Sequence, residues 1–299
     1  MAPAKENPPK EGTKEKWYAK PAVWIGGVVA TVVGGVALAG LGWLWPELVD
    51  DAALKDEVRA EIRGDDDLDY HVETIYGEDE GRSMAFADVV LPDASLLKIM
   101  NRQNGAVSSE LNDRLRAMGG VNLGKLTLRI NFEGRRKREI RIVDIRPVIL
   151  KRSAGLGGTL FSVPSQAGTP IARMVINLHE PIPVAREVVA GNPFGDGTEG
   201  EPYFEKQVIS LPDGKQKTLI VRLNEKRHHS TFYLRVDYLI GNEPKHILIK
   251  DQEKPFQLTG LHCGTKPGVL SYRRAFLLAD GYRLRPEAHP DRLQDGDCS

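Results

Sequence analysis

Alternation of hydrophobic and polar residues dominates the second half of the chain. Lys125–Phe132 reads KLTLRINF, with an apolar side chain at every second position, and Thr231–Ile240 reads TFYLRVDYLI with the same period. A period of two is typical of a strand with one buried face. Pro212-Asp213-Gly214 and Asn242-Glu243-Pro244 lie between such segments and are typical of turns. These patterns predict a domain that is rich in β-structure.

The strand pattern recurs eight times, at a spacing typical of an antiparallel β-sandwich. The predicted strands are Lys125–Phe132, Arg138–Lys151, Ala172–Leu178, Glu205–Leu211, Gln216–Leu223, Thr231–Ile240, Lys245–Lys250 and Phe256–Thr259. An immunoglobulin-like sandwich is one form of this fold, and a barrel is the alternative. Within the second strand the alternation shifts at Val143 and Ile145, which predicts a β-bulge, and Pro147 predicts an edge position.

Helical signals precede the strand-rich part. Asp93–Met100 and Ser108–Met118 are predicted helices, and Gly119-Gly120 ends the second one. With a short strand at Met84–Leu91, they predict a small α/β segment over residues 69–120. We expect a β-sandwich domain over 121–285 and a disordered tail over 286–299. The predicted fold class is therefore mainly β.

An uninterrupted apolar segment lies near the N-terminus. Ala22–Trp45 contains 24 residues and no charged side chain. As a helix it would be about 36 Å long, which exceeds a hydrocarbon core of about 30 Å. Tryptophans lie near both of its ends, as expected at a membrane interface. The pattern predicts a transmembrane helix over residues 21–45, and a signal peptide cleaved after Ala37-Leu38-Ala39 is the alternative.

The charges on either side of this segment predict its orientation. Five lysines precede it, and the first charged residues after it are Glu47, Asp50 and Asp51. Because Lys and Arg are retained on the cytoplasmic side, residues 1–20 are predicted to form a cytoplasmic tail. Residues 46–68 then form a juxtamembrane linker or helix. We expect a single-pass protein of the cell membrane whose C-terminal domain lies outside.

Small residues recur along one face of the predicted transmembrane helix. Gly27, Thr31, Gly35 and Ala39 are spaced by four. Such a stripe lets two helix backbones approach closely. It predicts a helix-pairing face, used either by a homodimer or by a membrane protein partner.

The distribution of charge adds a candidate binding surface at one segment of the chain only. The chain has 41 Lys and Arg residues and 41 Asp and Glu residues, a balance that argues against nucleic acid as a partner. Basic residues nevertheless cluster in Gly134–Arg152. One interpretation is a hairpin turn with the solvated faces of two strands, and the other is an anion-binding surface for an anionic cell-envelope polymer. The residues of that predicted surface are Arg135, Arg136, Lys137, Arg138 and Arg141.

The chain contains two cysteines, Cys263 and Cys298. An oxidising compartment favours a disulfide between them that ties the tail to the domain. Two free thiols, or a nucleophilic Cys263, are the alternatives. The histidines do not show the spacing of a metal site. No catalytic residue, metal ligand or cofactor is therefore predicted.

The sequence around Cys263 resembles that of the sortases, a family of cell-wall transpeptidases. Thr259 and Cys263 match the strand-end motif of that family, and the chain departs from the motif at two positions between them. The resemblance implies a nucleophilic Cys263 assisted by His179 and by Arg273 or Arg274. It also implies an N-terminal anchor and a β-rich exported domain.

The architecture as a whole resembles uncharacterised bacterial single-span membrane proteins with a β-rich extracytoplasmic domain. The shared features are a short Lys-rich tail, one anchor and a strand-rich exterior, and they imply no activity. We expect a membrane-anchored extracytoplasmic binding or protein-interaction domain that is non-enzymatic. The alternatives are a sortase-like cysteine transpeptidase or other cell-wall-modifying enzyme, and a structural subunit of a membrane complex.

Overall fold

The computed structural model describes residues 67–76, 82–135, 137–164, 172–189 and 198–298. The predicted cytoplasmic tail, transmembrane helix and helix-pairing face lie outside these ranges. Among the helices in the described ranges, none combines the length and the apolar character needed to span a bilayer.

The described part of the chain is mainly β, as predicted. Its strands, in chain order, are β1 (Leu68–Ile75), β2 (Met84–Phe86), β3 (Val121–Asn122), β4 (Lys125–Gly134), β5 (Ile140–Ala154), β6 (Thr159–Ser162), β7 (Met174–Asn177), β8 (Arg186–Val189), β9 (Thr198–Pro202), β10 (Ile209–Leu211), β11 (Gln216–Asn224), β12 (His228–Ile240), β13 (Glu243–Ile249), β14 (Phe256–Thr259), β15 (Arg274–Ala279) and β16 (Arg283–Pro286). Its α-helices are α1 (Ala94–Asn101), α2 (Ser109–Ala117) and α3 (Tyr203–Lys206).

The strands form three sheets. The first sheet has the order β1-β4-β11-β7-β8-β9, and the third has the order β16-β15-β6-β2-β3. The second sheet has the order β10-β5-β12-β13, and β14 also pairs with β12. Two pairings are parallel, β7 with β11 and β6 with β15, whereas the sequence predicts antiparallel strands throughout.

The first and second sheets share one hydrophobic core. On β4 the alternation buries Leu128, Ile130 and Phe132, and on β12 it buries Leu234 and Val236 in the same cluster. Full burial of such a side chain stabilises a fold by about 1.5–3 kcal/mol. Two sheets that face one core fit a β-sandwich.

Strand β5 contains the bulge that its sequence predicts. The register between β5 and β12 shifts between Asp237 and Tyr238, and Val143 is skipped there. On its other side β5 pairs with β10 only at Ile140–Ile142. Within the described ranges Pro147 therefore lies where β5 has a partner strand on one side only, which suits a residue without a backbone N–H.

The predicted hairpin of the basic segment is wrong. β4 pairs with β1 and β11 in the first sheet, whereas β5 pairs with β10 and β12 in the second. The connection after Gly134 therefore crosses from one sheet to the other. The two strands reach the shared core from opposite sides, and this arrangement buries the apolar face of each.

The third sheet packs against the two longer helices. Apolar side chains of β2, β6, β15 and β16 form a cluster with those of α1 and α2. The helices begin where the sequence predicts, because Asp93 accepts a hydrogen bond from the Leu96 N–H (2.8 Å) and Ser108 from the Leu111 N–H (3.3 Å). This sheet combines β2 with β15 and β16, so it draws on both sides of the predicted boundary at residue 120.

The C-terminal segment makes specific contacts where the sequence predicts a disordered tail. The Leu270 N–H donates to the Leu293 carbonyl (2.9 Å), and the Asp295 N–H donates to the Gly268 carbonyl (3.0 Å). Cys298 is buried and bonded to Cys263. These contacts explain the difference, since a composition rich in polar residues does not reveal a crosslink to the loop after β14.

Candidate functional site

A cleft of about 680 Å³ lies where the first sheet meets the third sheet and the C-terminal segment. We call it the strand-end cleft. Its walls come from the last residues of β7 and β11, from the start of β4, and from Asp295 and Asp297 near the C-terminus. Polar side chains predominate among those that line it.

Two asparagines form the floor of the strand-end cleft. Asn177 and Asn224 are the last residues of β7 and β11, and because these strands run parallel their carboxyl ends meet at one edge. The Asn224 amide Nδ2 donates to Asn177 Oδ1 (3.0 Å). The buried Asn177 in turn donates through Nδ2 to Glu180 Oε1 (3.0 Å) and to Glu199 Oε2 (2.8 Å). The amides therefore fix the positions of both carboxylates.

Glu225 has a structural role at the edge of the cleft. Its side chain is fully buried. It accepts hydrogen bonds from the Lys226 N–H (3.0 Å), the His228 N–H (3.3 Å) and the Ser230 hydroxyl (2.8 Å). A buried carboxylate needs such partners. Glu225 therefore stabilises the turn between β11 and β12.

Two polar atoms of the lining have no hydrogen-bond partner within the described ranges. They are Asn224 Oδ1 and His179 Nδ1. Most buried polar atoms in native structures are hydrogen-bonded, so each exception requires an explanation. A polar ligand bound in the cleft would supply the missing hydrogen-bond partners.

The C-terminal wall of the cleft is held by the disulfide. The Asp297 N–H donates to Asp295 Oδ1 (3.0 Å), and the Cys298 N–H donates to the Asp295 carbonyl (3.1 Å). Cys298 is linked to Cys263, 35 residues away in the chain. The position of both aspartates is thus tied to the crosslink.

Gly260 allows the segment after β14 to cross close to the turn between β11 and β12, beside the cleft. A Cβ atom on Gly260 would collide with the backbone of Lys226 and Arg227. The Gly260 N–H donates to the His228 carbonyl (2.7 Å), and the Leu261 N–H donates to the Lys226 carbonyl (2.9 Å). The segment after β14 can approach the turn between β11 and β12 this closely only because residue 260 has no side chain.

The residues of the sortase-like interpretation do not come together. Cys263 and Cys298 are joined by a disulfide, so Cys263 carries no thiol. His179 lines the strand-end cleft, whereas Cys263 lines a different pocket of about 350 Å³. The Arg273 guanidinium donates to the Ala87 carbonyl (2.7 Å). These positions do not form the predicted catalytic arrangement.

His262, at one of the positions that depart from the sortase motif, has structural contacts. Its Nδ1 lies 2.5 Å from the Gly155 carbonyl oxygen, and its backbone N–H donates to the Tyr272 hydroxyl (3.2 Å). Burial raises the pKa of Tyr272 to about 12, so its hydroxyl stays protonated at neutral pH. The two side chains support the loop that carries Cys263.

The predicted anion-binding residues differ in their surroundings. Arg135 forms an ion pair with Asp69, and the Arg141 guanidinium donates to the Gly241 carbonyl (2.8 Å). Lys137 and Arg138 are exposed. The remaining residue of the set, Arg136, lies outside the described ranges.

Sequence reasoning missed the strand-end cleft, although a signal was present. His179 and Glu180 directly follow one predicted strand, and Asn224 and Glu225 directly follow another. The sequence does not reveal the parallel pairing of β7 with β11 that places these two strand ends side by side. In the described ranges no three His, Cys, Asp or Glu side chains are grouped as a metal site would require. No protein-family model matches the chain, and neither does any curated protein.

Proposed function

We propose that the protein is a membrane-anchored extracytoplasmic binding or protein-interaction domain that is non-enzymatic. The disulfide between Cys263 and Cys298 is the observation that carries this proposal. Disulfides persist in oxidising compartments and are rare in the cytosol. The Lys-rich N-terminus favours the same location for the C-terminal domain.

The strand-end cleft supports the binding part of the proposal. Its volume of about 680 Å³ lies within the usual range for ligand sites, roughly 300–1,000 Å³. It is held by hydrogen bonds and by a crosslink, so it is formed before a ligand arrives. The crosslink also engages both cysteines of the chain, which supports binding over thiol-based catalysis.

Reporter fusions test the location. Alkaline phosphatase, which requires its own disulfides, is fused after residue 299 of the full-length chain and compared with a fluorescent protein that folds in the cytoplasm. We expect phosphatase activity and no fluorescence from intact cells. The matched control replaces Lys5, Lys10, Lys14, Lys16 and Lys20 with glutamate, which is expected to reduce the fraction with the C-terminus outside. Fluorescence without phosphatase activity from the wild-type chain contradicts the proposal.

The helix-pairing face is part of the same proposal. Gly27, Thr31, Gly35 and Ala39 would allow two copies, or one copy and a membrane protein partner, to associate in the bilayer. Cross-linking of the full-length chain in membranes tests this. We expect Gly35→Ile to abolish the dimer, whereas Val33→Ile, on the opposite side of the predicted helix, preserves it. Equal cross-linking of both variants contradicts pairing through this face.

Exposed Lys137 and Arg138 support an anionic cell-envelope polymer as a partner. Such binding depends on ionic strength because surface charges are screened by salt. We expect the double variant Lys137→Glu, Arg138→Glu to lose binding to polyglutamate at low salt. Lys217→Glu, which changes an exposed lysine on β11, is the control. Binding that persists in the double variant contradicts this surface.

A further inference from the structure

We propose that the strand-end cleft binds a primary ammonium group. This inference rests on the binding function proposed above and specifies the ligand class. An ammonium group brings three hydrogen-bond donors, one positive charge and no acceptor. Three features of the cleft select for those properties.

The first feature is the direction of the hydrogen bonds. Asn224 donates through Nδ2 to Asn177, and Asn177 donates through Nδ2 to Glu180 and Glu199. These hydrogen bonds occupy amide N–H donors of both asparagines with acceptors of the protein itself. Oxygen acceptors remain for a ligand, among them Asn224 Oδ1, which has no partner within the described ranges. A donor-rich ligand therefore complements the floor.

The second feature is the charge of the lining. Five carboxylates and two lysines line the cleft, and without the buried Glu225 the remaining four carboxylates exceed the lysines by two negative charges. Glu225 is satisfied by its own turn, so the charge that faces a ligand comes from Glu180, Glu199, Asp295 and Asp297. A cation is favoured over a neutral or anionic group of the same size.

The third feature distinguishes an ammonium from a guanidinium. A guanidinium binds best when it donates to both oxygens of one carboxylate. Asn177 already occupies one oxygen of Glu180 and one of Glu199. Divergent donors that reach separate oxygens fit this arrangement better, and an ammonium group has such donors. Arg186 lies 3.8 Å from Glu180 Oε2, so Glu199 supplies the stronger counter-charge.

Calorimetric titration of the full-length chain in detergent tests the proposal. The probes are a capped tripeptide with a central lysine, the same peptide with arginine or glutamine at that position, and cadaverine as a free diamine. We expect the lysine peptide to bind more tightly than the arginine peptide and the glutamine peptide not to bind. Cadaverine separates the two sources of the ammonium group, because tighter binding of cadaverine indicates a small amine and tighter binding of the peptide indicates a protein side chain.

Glu199→Gln is the decisive variant. Glutamine keeps an oxygen that accepts from Asn177, so the floor is preserved while the charge is removed. We expect the affinity for the lysine peptide to fall about tenfold or more, as for loss of a charged hydrogen-bond partner. Glu243→Gln, an exposed residue at the start of β13, is the matched control and should bind as the wild type does.

Three results would overturn the inference: equal binding of the glutamine peptide, an unchanged affinity in Glu199→Gln, or no binding of either amine by the wild type. The reporter fusions measure location without any ligand. A failure of the ammonium proposal is therefore distinguishable from a failure of the extracytoplasmic function.

Discussion

The shared core of the first and second sheets differs from the third sheet in the length of its longest strands. The longest strands of the shared core are β5 with 15 residues and β12 with 13, which pair with each other, and the short strands β7, β10 and β14 add three or four residues each. The strands of the third sheet contain two to six residues each. They come from positions as far apart as residue 84 and residue 286.

This difference shows how the two regions obtain their stability. A long strand pair makes many backbone hydrogen bonds and buries a continuous apolar face. A sheet of short strands cannot do so alone, and here it depends on helices α1 and α2 on one face and on the crosslinked C-terminal segment. We therefore expect the third sheet to be the region that opens first.

The largest effect is expected from Phe132→Ala in the shared core. Phe132 is fully buried on β4, and a Phe→Ala change in a core typically costs about 3–5 kcal/mol. We expect the free energy of unfolding of the full chain to fall by that amount in urea titrations followed by circular dichroism.

The matched control for this change is Phe161→Ala. Phe161 is equally buried on β6 in the third sheet and stacks on Phe276. Phe161→Ala should increase the rate of hydrogen exchange mainly in the third sheet. If Phe132→Ala also affected only one sheet, the claim of a shared core would fail.

Removal of the crosslink should have the second-largest effect. The disulfide spans 35 residues, and loop entropy alone predicts a stabilisation of about 4 kcal/mol. In the double variant Cys263→Ser, Cys298→Ser we expect faster hydrogen exchange in β15, β16 and residues 290–298, with little change in β4 and β12. Equal acceleration in all these strands would show that the two regions do not differ in the way described.

Gly260→Ala should have an intermediate effect. The added methyl group collides with the backbone at Lys226 and Arg227, and such overpacking costs about 1–3 kcal/mol. Because Lys226 lines the strand-end cleft, ligand affinity should fall as well. Gly296→Ala, where no atom lies within 4 Å of the added group and φ is not positive, is the control for loss of a glycine in the thermal measurement. An unchanged melting temperature in Gly260→Ala would contradict the close approach of residue 260 to the backbone at Lys226 and Arg227.

The smallest effect is a pH dependence at the start of α1. Hydrogen bonds from the Leu96 N–H and then from the Ser95 hydroxyl, with a contribution from Arg114, lower the pKa of Asp93 to about 2 from its ordinary value of 3.8. A carboxyl group with a lowered pKa stabilises the fold above its unfolded pKa and loses that contribution as pH falls through its folded pKa. Asp93 should therefore stabilise the third-sheet region above about pH 4 and cease to do so near pH 2.

Asp93→Asn removes this titration while it keeps a good helix cap. Its melting temperature should depend less on pH between 4 and 2 than that of the wild type. Identical pH profiles would contradict the role of Asp93.

Local patterns predicted the elements better than their arrangement. The alternation in β4 and β12, the bulge at Val143 and the start of the two longer helices near Asp93 and Ser108 were all evident in the sequence. Each of these depends on neighbours within a few residues.

Strand partners were not evident, because an alternating strand pairs equally well with any strand that buries the same face. The pattern of β4 and β5 fits a hairpin, yet the two strands lie in different sheets. The strand-end cleft depends on the parallel pairing of β7 with β11, which leaves no local signal. Its residues were therefore not predicted as a site.

The crosslink is tested by the intact mass of the full-length chain after thiol alkylation, with and without prior reduction. The chain should be isolated from cells with its thiols trapped. We expect two alkyl groups to be added only after reduction, since the crosslink between Cys263 and Cys298 supports the location, the third sheet and one wall of the cleft. Alkylation of both cysteines without reduction would contradict it.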